Sequence, residues 1–176
     1  PTAIVDTTFK SRPASNTGRS TVSVSDGSKA QIRTYQDLLK NPQDEANFVT
    51  LSTSELHRVP LKGRATRWRG AGMYTRASFS PDGRYVLLRT LRKPFSYLVP
   101  YSRFPYRAEV VETTGKPAVE VVDAPLAENL PKGFMAVRAG RRDVEWRADQ
   151  PATLVWAESL DKGDPANEVP FRDEAF

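Results

Sequence analysis

Beyond residue 48 apolar and polar positions tend to alternate, and short polar clusters interrupt the alternation. Val49, Leu51, Leu56, Val59 and Leu61 read as one strand with an irregularity in its middle, closed by Lys62-Gly63. Residues 74–79 and 84–91 read as two further strands joined by Ser80-Pro81-Asp82-Gly83. Pro81 suits the first central position of a turn, and Gly83 accepts a positive φ. Residues 107–112 and 117–123 form a hairpin around Thr113-Thr114-Gly115-Lys116. Between these pairs, 92–105 is rich in proline and aromatic residues and reads as an extended, partly exposed strand or loop. Residues 124–142 read mainly as a long loop, and 163–176 as a polar, acidic linker or the start of another strand.

Ahead of residue 48 the pattern differs. Residues 1–30 are rich in Ser, Thr and Gly and read as a loop-rich lead-in, with Ile4-Val5 and 21–24 as short strands. From Gln31 onward Thr34 is a candidate cap, Asp37 stands three positions later, and Leu38-Leu39 supply an apolar face. This predicts a short helix near 34–40 ending at Lys40-Asn41-Pro42, with a further turn from Asp44 to Phe48.

One strand–turn–strand phrase occurs twice. Phe79 precedes Asp82 by three positions, and Trp146 precedes Asp149 by three; each Asp leads through a turn into an apolar run, Tyr85-Val86-Leu87-Leu88 or Leu154-Val155-Trp156. The strand-to-glycine outline of 56–63 recurs at 108–115. Repetition at this spacing predicts an all-β chain, a partial β-propeller of about two blades plus flanking strands over 31–176. Asp82 and Asp149 are expected to hold turns, and Phe79 and Trp146 to pack between blades.

The 176 residues carry a net charge of +5, read as a solvated, arginine-rich surface. No zinc-finger spacing, heptad or aromatic-basic motif points to nucleic acid. No apolar run is long enough for a membrane span. Cysteine is absent, which removes disulfides, thiol nucleophiles and thiolate metal ligands. No cofactor or metal is expected: the lone His57 has no neighbouring His or Cys, and Gly70-Ala71-Gly72 lacks the pattern of a phosphate loop. The Gly-x-Ser-x-Gly turn that presents a hydrolase nucleophile is absent, and His57 is read as structural or surface, so no catalytic residue is assigned. The adjacent acids Asp44-Glu45 and Asp173-Glu174 read as solvated surface.

Several longer phrases carry a resemblance. Residues 33–39, 94–105, 125–129, 134–137, 146–149, 151–156 and 163–165 resemble, in order, the glutamyl endopeptidase branch of the prolyl oligopeptidase (S9) family of serine peptidases. The resemblance runs from about Gln31 to Phe176. It implies an N-terminal β-propeller followed by an α/β-hydrolase domain with a Ser–Asp–His triad, and this chain would be the middle of that propeller. The hydrolase domain and the remaining blades would then be its partners, and the chain alone is expected to be inactive. An open set of blades would expose apolar faces, so self-association is expected as well. The whole enzyme would cleave peptides after Glu. A carboxylate-selecting site calls for Arg, and Arg92, Arg103 and Arg107 are the candidates, with Tyr97 and Tyr101 as hydrogen-bond donors. The implied setting is periplasmic or secreted, with cytoplasmic as the alternative. A stand-alone β-propeller-like protein-binding module is the competing reading.

Overall fold

The computed structural model describes residues 3–6, 35–131 and 133–176. The strand expected at 21–24 and Thr34, the first residue of the helix expected near 34–40, lie outside those residues. The elements are β1 (Ala3–Asp6), α1 (Pro42–Ser52), β2 (Ser54–Val59), β3 (Thr66–Phe79), β4 (Tyr85–Leu91), a 3-10 turn (Tyr101–Arg103), β5 (Tyr106–Glu112), β6 (Pro117–Ala124), β7 (Arg142–Trp146), β8 (Leu154–Ser159) and β9 (Asp173–Ala175). Strands β1 to β6 follow one another in a six-stranded sheet, and β7 to β9 form a second sheet. Every pairing is antiparallel, and among the described residues the fold is mostly β with one short helix.

The helix expected near 34–40 does not form over its described residues, whereas the further turn expected from Asp44 to Phe48 lies inside α1. Residues 35–40 are non-helical, and α1 begins at Pro42, which had read as a stop. Proline at the first helical turn loses nothing, because its missing N–H would have had no partner there. Asn41 stays extended and its Oδ1 accepts the Asp44 N–H at 2.9 Å, while Asp44 and Glu45 lie at the positive end of the helix. Val49 and Leu51, expected in a strand, therefore belong to α1, and β2 starts only at Ser54.

Strand β3 starts eight residues earlier than the pattern indicated and serves two partners. Its first half pairs with β2 up to Gly72, and its second half pairs with β4 from Met73. The glycines that hid this strand have a packing reason. Tyr74 folds back to donate its hydroxyl to the Gly70 carbonyl at 2.9 Å, and a Cβ on Gly72 would lie 2.9 Å from the Tyr74 ring.

Strand β4 is buried on both faces, with Val86, Leu87 and Leu88 at 0, 1 and 0% exposure. Leu87 and Leu91 join Met73, Val99, Phe104, Tyr106, Ala108, Val110, Val121, Ala124 and Val144 in the larger core, against which Trp146, Leu154 and Trp156 of the second sheet pack. Val86 and Leu88 turn the other way and meet Leu56, Val111, Trp68 and Tyr74. Both copies of the repeated phrase lie side by side. Trp146 Nε1 donates to the Ser78 carbonyl at 2.9 Å, Arg76 Nη1 to the Val144 carbonyl at 3.2 Å, and the Asp82 N–H to the Pro151 carbonyl at 3.0 Å. Trp146 thus packs against the larger core. Phe79 does not: it pairs with Val86 at the end of β3 and remains 39% exposed.

The aspartates close their turns. Asp82 Oδ1 accepts from Ser80 Oγ at 2.6 Å and from the Arg84 N–H at 3.0 Å, and these bonds hold its carboxyl below the usual range. Asp149 takes both Nε and Nη2 of Arg147. A third aspartate, Asp161, is buried after β8, where it accepts Arg172 Nε at 2.6 Å and the Gly163 N–H at 2.8 Å. Arg172 and the Gly163 amide depress its carboxyl well against the opposing effect of burial.

Two outcomes test this packing. Leu87→Ala should cost about 2–5 kcal/mol in urea unfolding, whereas Leu61→Ala, on a residue that is 79% exposed, should stay within about 0.5 kcal/mol. The stabilisation from Asp161 is present above the ordinary Asp value of about 3.9 and is lost as pH falls through its depressed value. Asp161→Asn should therefore flatten the fall of the urea midpoint between neutral pH and pH 3; an unchanged acid limb would remove Asp161 from the account.

Candidate functional site

Residues 92–105 leave β4 and return to β5, with the Arg92 N–H donating to the Pro105 carbonyl at 2.8 Å. Prolines prevent a regular strand here, and two side chains anchor the segment inward: Val99 and Phe104 are 0 and 1% exposed. Phe104 stacks on Phe95 at 5.0 Å, and both meet Phe48 of α1 edge-on at 5.9 and 5.4 Å. Polar contacts hold the outer side. Glu45 of α1 accepts Lys93 Nζ at 2.7 Å and the Tyr97 hydroxyl at 3.2 Å, and Lys93 is the main reason its carboxyl titrates low. Ser96 Oγ donates to Glu128 and accepts the Leu98 N–H. Between α1, β3 and this segment lies an apolar cleft of 580 Å³ with Phe48, Leu51, Met73, Leu91 and Tyr101 in its walls.

The five residues singled out in the sequence do not converge. Arg92 is paired with Asp123. Arg107 has Nε 2.9 Å from Glu120 and Nη2 3.8 Å from Glu109. Asp123 faces Arg107 across the β5–β6 pairing, so Arg92 and Arg107 share one face of the sheet. Arg103 belongs to the opposite side, where its guanidinium lies 5.3 Å from the Tyr35 ring. Tyr97 is engaged with Glu45, and Tyr101 stands 59% exposed at the cleft. His57 sits on β2, half-buried, with Nε2 3.3 Å from Glu55.

A second group of cations was missed. Arg89 on β4 faces the same way as Leu87 and Leu91, with its guanidinium 3.8 Å from the Tyr106 ring centroid. Arg138 approaches the same ring at 5.1 Å and donates to the Arg103 carbonyl at 2.8 Å. The sequence did hold a signal for Arg89: in Leu87-Leu88-Arg89-Thr90-Leu91 an arginine occupies an apolar-period position. Arg138 carries none, because its place depends on how the 125–141 crossover folds back.

No family model matches the chain, and no solved structure matches it. Its sequence is 38% identical over 165 residues to a protein of Arabidopsis thaliana named probable glutamyl endopeptidase, chloroplastic. It is 38% identical over 146 residues to a protein of the same name from Oryza sativa subsp. japonica. These matches take in 94 and 83% of this chain but 17 and 16% of the relatives, so the chain spans about a sixth of their length. The similarity to glutamyl endopeptidases read from the sequence is supported over most of the chain. Both names place those relatives in the chloroplast, which does not fit the periplasmic or secreted setting.

The role given to Glu45 can be measured. Glu45→Gln should speed amide hydrogen exchange in 93–101 and leave β4 and β5 unchanged; if 93–101 exchanges as before, the aromatic packing alone holds the segment.

Proposed function

We propose that this chain is part of the β-propeller of a glutamyl endopeptidase-like serine peptidase of the prolyl oligopeptidase family. In this reading it gates and positions peptide substrates, and the nucleophilic Ser with its Asp and His lies in a separate α/β-hydrolase domain. The 38% identity over 94% of the chain carries the reading. Two features support it. The second half of β3 with β4, β5 and β6 makes a four-stranded antiparallel meander, and β7 to β9 start another whose first strand lies beside β3. The repeated phrase falls at the same place in each. Leu61 and Phe171, 79 and 75% exposed, are surfaces that the remaining blades or the hydrolase domain would cover.

Substrate contact is assigned to Arg92, Arg103, Arg107, Tyr97 and Tyr101. Arg103 is the best suited of the arginines, because Arg92 and Arg107 already serve Asp123, Glu120 and Glu109. A hydrogen bond to a charged group contributes about 1.5–3 kcal/mol, or roughly ten- to a hundredfold.

The test uses the full-length protein and a pair of peptides that differ only in Glu or Gln before the scissile bond. Cleavage after Glu is expected, with Arg103→Ala lowering the Glu-over-Gln ratio of kcat/KM by about tenfold or more. An unchanged ratio in Arg92→Ala, Arg103→Ala and Arg107→Ala would remove the substrate contact. If the full-length protein leaves both peptides intact, the peptidase reading falls and the protein-binding module takes its place.

A further inference from the structure

Strand β3 has an open stretch of edge. Its pairing with β2 ends at Gly72, opposite Ser54, where the chain arrives from α1 through Thr53. The second sheet reaches β3 only farther on, where the Val144 carbonyl accepts from Arg76 and the Ser78 carbonyl accepts from Trp146. Between these limits Met73, Tyr74 and Thr75 have β4 on one side and, among the described residues, no strand on the other. Thr75 is the extra residue of a bulge against β4, a place where the ladder of backbone bonds is interrupted.

The apolar cleft of 580 Å³ opens on this stretch. Met73, Tyr74 and Thr75 all line it, although successive side chains of a strand point to opposite faces. Met73 packs in the larger core and Tyr74 against the smaller one, so the two do face apart. A cleft that touches all three therefore runs along the edge of the strand and not over one face. Phe48 and Leu51 of α1, Leu91 of β4 and Tyr101 form its other walls. Leu51 and Tyr101 are both more than half exposed, which leaves apolar surface of the cleft in water.

The chemistry of the lining narrows what can enter. Among the described residues it holds no carboxylate, amine, guanidinium or imidazole. Three of its hydroxyls already donate within the chain: Thr53 to the Val49 carbonyl at 2.7 Å, Thr75 to the Arg89 carbonyl at 3.3 Å and Tyr74 to the Gly70 carbonyl at 2.9 Å. A charged group would lose hydration there with no counter-charge, whereas an apolar group gains by leaving water. The edge adds a second requirement. Backbone N–H and C=O groups on an open strand edge are matched by another extended backbone.

We propose that the cleft and the 73–75 edge together bind an extended peptide segment, which adds its backbone to β3 and lays one uncharged apolar side chain between Leu51, Leu91 and Tyr101. Neither the edge nor the lining depends on peptidase activity, so the site stands even if the full-length protein cleaves nothing.

Four blocked five-residue peptides test this by isothermal titration of the full-length protein. They are Thr-Thr-Leu-Thr-Thr, its counterparts with Asp or Lys in the centre, and a copy of the first with N-methyl groups on alternate amides. None contains Glu, so binding is read apart from cleavage after Glu. The Leu peptide should bind, and each of the other three should bind at least about tenfold more weakly. Leu51→Asp and Tyr101→Ala should each weaken binding of the Leu peptide by about tenfold or more, while Val119→Ser, on an exposed β6 position, should leave it unchanged. Should a site variant fail to fold by circular dichroism, the wild-type protein still decides. Saturating Leu peptide must then slow amide exchange at 72–76, and unaltered exchange there counts against the site. Equal binding of the Leu, Asp and Lys peptides would remove the apolar selection, and equal binding of the N-methylated copy would remove the strand addition. Either result, or binding of none of the four, overturns the proposal. Cleavage of the Glu and Gln peptides is measured separately, so failure of this site and failure of the peptidase reading are distinguishable.

Discussion

Val86, Leu87 and Leu88 are consecutive, all out of water, and necessarily on alternate faces of one strand. A strand with apolar side chains on both faces has to be covered twice. Each buried large side chain contributes about 1.5–3 kcal/mol only once a cover is in place. The rest of the fold follows from meeting that demand. Strand β3 runs past its pairing with β4 and bends back with β2, which brings Leu56, Trp68 and Tyr74 over Val86 and Leu88. On the other side the 125–141 crossover delivers the second sheet, whose Val144, Trp146, Leu154 and Trp156 close over Leu87 and its neighbours.

The same two-sided cover sorts the arginines. On the Val86 side, Arg69 meets Glu109 at 2.9 Å and Arg107 meets Glu120, so charge is neutralised within the sheet. On the Leu87 side, Arg76 and Arg89 are cross-strand neighbours of like sign. Arg76 is turned toward Glu145 of the second sheet, and Arg89 is left over the Tyr106 ring. Among these residues the Val86 side is in charge balance, and the Leu87 side keeps Arg89 over an aromatic ring.

Local signals made the central sheet legible. Strands expected at 84–91, 107–112 and 117–123 form at Tyr85–Leu91, Tyr106–Glu112 and Pro117–Ala124, because alternation and the glycine turns between them act over a few residues. Where one residue serves two purposes the reading went astray. Pro42 ends one helix pattern as well as it begins another, and only the Asn41 cap decides between them. Gly70 and Gly72 look like a break in β3 until the Tyr74 ring is placed over them. The arginine cluster lay furthest from sequence reasoning. Its members, Arg89, Arg103 and Arg138, are separated by 14 to 49 positions and meet only after β4, the 101–103 turn and the crossover are packed.

Because β3 keeps register with β2 through one half and with β4 through the other, it acts as a ruler common to both pairings. Adding or deleting a single residue near Gly72 would exchange inside for outside along an entire partner strand. Extra residues in 60–65 would disturb neither pairing and would cost little loop entropy. Changes of length in such a chain thus have permitted and forbidden places, and the boundary between them is set by one shared strand.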